Sequence, residues 1–136
     1  MSREAAVVII QAPSKKVLLL RRGSSAPYAP GHWNFPGGFV EKGESVIQGA
    51  VREVREETGF LLLVGPSLQH LFSYRGGGVL VHVLFLRVSR EFRPTMPDGE
   101  HDAYLWTTLN RIPAPVTREF AHLVDFVTRG VNQFRA

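Results

Sequence analysis

Between Gly38 and Phe60 the chain reads GFVEKGESVIQGAVREVREETGF, and this stretch constrains what surrounds it. Its first half has loop chemistry, because Pro36, Gly37, Gly38 and Gly43 permit tight backbone turns. Its second half predicts a helix. Ser45 suits an N-cap, Gln48 three residues on completes a capping box, and Gly59 supplies the C-terminal stop. On such a helix Val46, Ile47, Ala50, Val51 and Val54 span an apolar arc of about 140°. Glu53, Glu56 and Glu57 stand at i, i+3 and i+4 and share the neighbouring face. Gly49 leaves room on that face, while Ser45, Gln48 and Arg55 point to solvent.

Three carboxylates on one face repel one another, so a fold that holds them close implies a neutralising partner. Oxygen donors at this density suit Mg²⁺ or Mn²⁺ better than zinc, and the chain has no cysteine. Taken alone, the E-x-x-E-E pattern reads more simply as a solvated acidic face paired with Arg52 and Arg55.

The whole stretch says more. It resembles the box of the Nudix hydrolases, G-x5-E-x7-R-E-U-x-E-E-x-G-U, where U is a bulky apolar residue. Gly38, Glu44, Arg52, Glu53, Val54, Glu56, Glu57, Gly59 and Phe60 fill its constrained positions in register. Phe60 is the one departure, an aromatic where an aliphatic residue is usual. Two further segments resemble the same MutT-like family. Trp33-Asn34-Phe35-Pro36-Gly37-Gly38 matches the lead-in W-x-F/L-P-G-G, and Glu100 to Trp106 matches E-H-x-x-Y-x-W. The resemblance covers nearly the whole chain.

Composition agrees with a chain of this kind. Its 136 residues suffice for one domain with a real core, expected over 1–136. Hydrophobic residues at 44% and charged residues at 21% describe a globular mix. The lack of cysteine excludes disulfides and thiolate metal sites and fits a cytoplasmic location. The apolar run from Val79 to Leu86 is too short to span a membrane, so no membrane partner is expected. Met1 to Glu4 lead straight into a strand-like run, so no signal peptide is expected. The formal charge of +4 favours phosphorylated ligands, but ordinary solubility charge is the simpler reading of it.

Around the box, strands are expected at Ala5–Ile10, Val17–Arg21, Trp33–Phe35, Leu61–Val64, Ser67–Tyr74, Val79–Val88 and His101–Trp106. Arg75 to Gly78 reads as a hairpin turn, Gly23 to His32 and Ser89 to Gly99 as loops, and Val116 to Arg129 as a second helix. His82, inside a run that suggests a central strand, reads as a core or pocket residue rather than a ligand. This order fits the α/β/α sandwich with a mixed central sheet and catalytic loop-helix that the resemblance implies.

What the resemblance implies for chemistry is metal-assisted hydrolysis of a phosphoanhydride, with Mg²⁺ or Mn²⁺ as cofactor. Glu56 and Glu57 are implied as metal ligands, joined by the carbonyl of Gly37. Glu53 is implied as a third ligand or as the base that orients water. Arg52 is implied to pair with a box carboxylate, and Glu44 to brace the loop and helix. Glu100, at the head of E-H-x-x-Y-x-W, is the candidate loop carboxylate for metal or water, with Asp98 as the alternative. Arg21 and Arg22 are candidates for the distal phosphates. Tyr28, Phe72 and Tyr74 are candidates for stacking on a base, though structural roles suit each as well. A nucleoside triphosphate or dinucleoside polyphosphate is the expected substrate. The 5′ end of RNA, an ADP-ribose or nucleotide-sugar substrate and a non-catalytic nucleotide-binding regulator are the alternatives. A monomer or homodimer is expected.

Overall fold

The computed structural model describes residues 3–61 and 68–130. The described strands are β1 (Arg3–Gln11), β2 (Val17–Arg22), β3 (Trp33–Asn34), β4 (Gly37–Phe39), β5 (Leu68–Gly76), β6 (Val79–Arg87) and β7 (His101–Thr107). The helices are α1 (Val46–Thr58), between β4 and β5, and α2 (Arg118–Gly130), after β7.

β1 is the spine of one mixed sheet ordered β3-β2-β1-β6-β5, in which β4 also pairs with β1 and β7 with β2. It runs parallel to β6 from Arg3↔Val79 to Gln11↔Arg87, whereas its pairings with β2 and β4 are antiparallel. Its other edge is divided. The C-terminal end meets β2 at Gln11↔Val17, and the N-terminal half meets β4 at Ala5↔Phe39, Ala6↔Gly38 and Val7↔Gly37. The division brings the box's first glycine onto the middle of the sheet.

The near-continuous apolar character of β1 and β2 follows from burial on both faces. Ala6, Val8, Ile10, Leu18 and Leu20 face one core with Ala50 and Val54 of α1. Ile9, Val17 and Leu19 face another with Phe120, Leu123 and Val127 of α2. The expected α/β/α sandwich is therefore observed. Ser45 and Gln48 form the capping box, and Gly59 ends α1 in the left-handed conformation. α2 starts later than the apolar spacing predicts, because Thr117 Oγ1 accepts the Phe120 backbone N–H at 3.1 Å and caps the helix there. The hairpin turn is likewise tighter: Arg75 and Gly76 stay in β5, and Gly77 and Gly78, both at positive φ, make the reversal alone. Of the strand expected at Leu61–Val64 only Leu61 is described, and it is exposed and outside any strand. The rest of that strand, and Ser67 at the start of the next one expected, lie outside the described residues. Among the described residues, no helix is long and apolar enough to cross a membrane.

Candidate active site

α1 packs its apolar arc on β1 and turns its acidic face toward β4 and the loop before β7. The face is organised by Arg52. Its Nε donates to Glu44 Oε2 at 2.7 Å and its Nη1 to Glu53 Oε1 at 2.9 Å and Glu56 Oε2 at 3.1 Å. Nη2 reaches the Phe39 carbonyl at 3.0 Å, so one guanidinium joins three box glutamates to β4. The bond to Arg52 holds the Glu44 carboxyl below its ordinary pKa, and Glu44, followed by Glu53 and Glu56, raises that of Arg52. Glu44 also accepts the Glu41 backbone N–H at 2.9 Å, which braces the loop leading into the helix.

Glu57 is different. It is 5% exposed and accepts the Gly37 N–H at 2.9 Å. Burial pushes its carboxyl well above the ordinary carboxylate range; the Gly37 bond opposes this, while Glu53 and Asp98 add to it. Its position in the last turn of α1, at the negative end of the helix dipole, further disfavours a charge. Glycines let the backbone come close to these carboxylates. A Cβ on Gly38 would lie 2.6 Å from the Glu53 carboxyl carbon, and one on Gly37 2.3 Å from the Ala6 carbonyl oxygen.

The third component is the loop between β6 and β7, and helix ends explain why it lies here. The last carbonyls of a helix lack partners within it. The loop supplies two: Thr95 N–H donates to Thr58 O at 3.0 Å and Asp98 N–H to Glu56 O at 3.1 Å. Phe92, stacked on Phe60 and edge-on to Trp106, anchors the loop's other end, and Trp106 Nε1 donates to its carbonyl at 2.8 Å. Asp98 is thereby set beside Glu57. His101 joins them from the first position of β7, and one donor atom from each of Glu57, Asp98 and His101 lies within 4.8 Å of the others. Burial lowers the His101 pKa, against the pull of Asp98, so the ring is held neutral.

Glu100 does not join that group. Its side chain is exposed, and its backbone serves the loop: N–H donates to Asp98 Oδ1 at 3.0 Å, and its carbonyl accepts Gly23 N–H at 2.8 Å. The chain turns at Gly99, so Asp98 faces inward where Glu100 was the sequence candidate. His101 was passed over as a ligand, although it stands inside the E-H-x-x-Y-x-W segment.

The other candidates separate. Arg21 is paired with Asp102 at 2.7 Å on the surface. Arg22 stands opposite His101 after a register shift in β2, with its Nε on the Tyr28 carbonyl and its guanidinium above the Tyr28 ring. Tyr28 itself is 60% exposed. Tyr74 lines a cavity of about 240 Å³ with Asn34, Phe35, Gly37, Gly38 and Phe120. Phe72 packs against Phe126 and, with Tyr74, lines an adjoining cavity of about 500 Å³. The smaller cavity and the carboxylates therefore share the Gly37-Gly38 backbone. Asn34 Oδ1 is buried there with no hydrogen-bond partner, a feature that sequence gave no reason to single out. His82 is held in a polar chain, Nε2 on Glu4 and Nδ1 on Ser73, both at 2.8 Å.

This construction can be set beside known proteins. The NUDIX domain profile matches residues 1–126. The chain belongs to the Nudix hydrolase family. Relatives include the m7GpppN-mRNA hydrolase NUDT17 of Xenopus laevis, 47% identical over 55 residues, which are 40% of this chain and 19% of the frog protein. The CTP pyrophosphohydrolase of Escherichia coli is 37% identical over 93 residues, 67% of this chain and 65% of that protein. The chain thus spans less than two thirds of both. A MutT NUDIX hydrolase structure from Burkholderia pseudomallei superposes with a TM-score of 0.73 at 27% identity, covering 94% of this chain and 99% of that one.

Divalent metal use is general among Nudix enzymes, and the donors of this Nudix chain fit a cation by their own chemistry. Glu57 is a carboxylate whose burial beside Glu53 and Asp98 calls for a countercharge, and the Nδ1 of His101 is buried without a hydrogen-bond partner.

Proposed function

We propose that this Nudix hydrolase is a divalent-metal-dependent pyrophosphohydrolase acting on a nucleoside triphosphate or dinucleoside polyphosphate. The observation that carries the reading is the Gly37-Gly38 backbone, with Glu53 and Glu57 against it and a cavity lined by the same two glycines. A base in the cavity would stack on Tyr74 or Phe35 and donate to the unpaired Asn34 oxygen, and the polyphosphate would then lead toward the carboxylates. Glu56, Glu57 and Asp98, with the Gly37 carbonyl, would hold the cation. When bound, it would offset phosphate charge and acidify the attacking water.

The chain's own residues would do the rest. Arg52 fixes Glu53 and Glu56, so these carboxylates are oriented before substrate arrives. Glu53, the least constrained of the inner pair by backbone contacts, would take the water's proton as the phosphoanhydride bond breaks. Arg22, beside His101, is the candidate for the distal phosphate. No covalent intermediate is required.

The test is a nucleotide panel with Mg²⁺ or Mn²⁺ and product identification. A nucleoside monophosphate is expected, with pyrophosphate from a triphosphate or with a second nucleotide from a dinucleoside polyphosphate, abolished by exhaustive chelation and restored by the metal; full turnover in metal-free buffer refutes the reading. RNA 5′ ends are the second reading, favoured by the frog relative's name and the +4 charge. It predicts a steep loss of affinity with salt, against a shallow one for a mononucleotide.

A further inference from the structure

We propose that His101 Nδ1 is a ligand of the catalytic cation, and that this nitrogen makes the site favour Mn²⁺ over Mg²⁺. The inference rests on the reading of the carboxylate cluster as a metal centre and goes beyond it. Carboxylates and carbonyls alone would make the site one for hard oxygen-bound ions. An imidazole donor shifts preference toward transition metals, for which nitrogen is a better ligand than it is for Mg²⁺.

Three observations carry it. First, His101 is buried, its side chain 2% exposed, and Nδ1 has no hydrogen-bond partner. A buried polar nitrogen without a partner costs about 1–3 kcal/mol and calls for an explanation. Second, the natural partner is near but out of reach. Asp98 Oδ2 lies 3.5 Å from Nδ1, longer than a good hydrogen bond. That gap is close to the separation of roughly 3 Å between adjacent ligands of one octahedral ion with bonds of about 2.1 Å. Third, the donors of Glu57, Asp98 and His101 all fall within 4.8 Å of one another. Opposite ligands of one such ion stand about 4.2 Å apart, so a contraction of at most about 0.6 Å would let all three bind.

The surroundings hold this donor in place. His101 is paired in register with Arg22 of β2, and Asp98 is held by its backbone bond to Glu56 and by the Glu100 N–H on Oδ1. Asp98 Oδ2 is therefore the oxygen left to face the cation beside Nδ1. Glu57 Oε1 is already used by Gly37, which leaves Oε2 for the same ion.

Pulsed EPR of Mn²⁺ bound to the full chain, produced with ¹⁵N-histidine, tests the ligand directly. A ¹⁵N coupling of directly bound imidazole is expected in the wild-type protein and is expected to vanish in His101→Gln. Calorimetric titration should show Kd for Mn²⁺ rising about 10- to 100-fold in that variant, while Kd for Mg²⁺ moves less than about threefold. If His101→Gln does not fold, a chain with His32, His70, His82 and His122 all changed to Gln must keep the coupling. Mn²⁺ bound without any histidine coupling overturns the inference, and metal-dependent hydrolysis by that same sample leaves the proposed function standing. Loss of metal-dependent hydrolysis with the coupling present would count against the proposed function instead.

Discussion

Changing Glu57 to Gln separates what this residue does for the fold from what it does for the reaction. The amide keeps the shape and, through Oε1, can still accept the Gly37 N–H that Glu57 accepts at 2.9 Å. It removes a charge that is buried, faces Glu53 and Asp98, and sits at the negative end of α1. Without metal, the variant should therefore be at least as stable as the wild type at neutral pH. The sign follows from linkage. The folded pKa of Glu57 is raised, so folding binds a proton that the unfolded chain releases. The associated stability is fully present below the unfolded carboxylate value of about 4.3 and is lost as pH rises toward the folded value. Each unit of that rise corresponds to about 1.4 kcal/mol that the amide variant does not lose.

His101 gives the opposite slope. Its folded pKa is lowered, so its stability contribution is present above about 6.5 and falls away below. Because both proteins carry His101, its slope largely cancels in their difference. Thermal melts from pH 4.5 to 8.5 in chelator should thus show the variant's Tm gaining on the wild type as pH rises. Adding Mn²⁺ should reverse the order, since the cation binds the wild-type site more tightly. Turnover should fall by about 10²- to 10³-fold in kcat, equivalent to about 2.7–4 kcal/mol at the transition state. A folded variant with near wild-type kcat refutes the metal-ligand role. A variant destabilised in chelator at pH 8 refutes the account of the buried charge.

Other substitutions test the rest of the cluster. Asp98→Asn should lower kcat at least about tenfold, while Glu100→Gln should stay within about threefold, because only Asp98 stands beside Glu57. The reverse pattern in steady-state kinetics would return the role to Glu100. Gly38→Ala should displace the Glu53 carboxylate and depress turnover with a modest change in Tm, since the side chain can move aside. Gly37→Ala meets the Ala6 backbone instead and should cost about 3 kcal/mol or more in denaturant unfolding; equal stabilities for the two variants would contradict this distinction.

Local rules made the box helix legible: the cap at Ser45, the stop at Gly59 and the apolar arc all depend on residues a few positions apart. The same holds for β1, β2 and β6, whose apolar runs announced burial on both faces. The loop before β7 was not legible in this way. Whether Asp98 or Glu100 faces Glu57 depends on which backbone N–H groups satisfy the end of α1, a contact between segments some forty residues apart that leaves no periodic trace. His101 was obscured for a related reason, because a histidine at a strand start reads the same whether its ring is buried against a carboxylate or solvated. Arg21 and Arg22 show the limit most simply. Adjacent and chemically identical, they leave β2 on opposite faces, and a register shift between them leaves one on Asp102 and sets the other opposite His101. The residues that brace this site were readable from helix geometry, whereas those that complete it were placed by the ends of elements meeting in space.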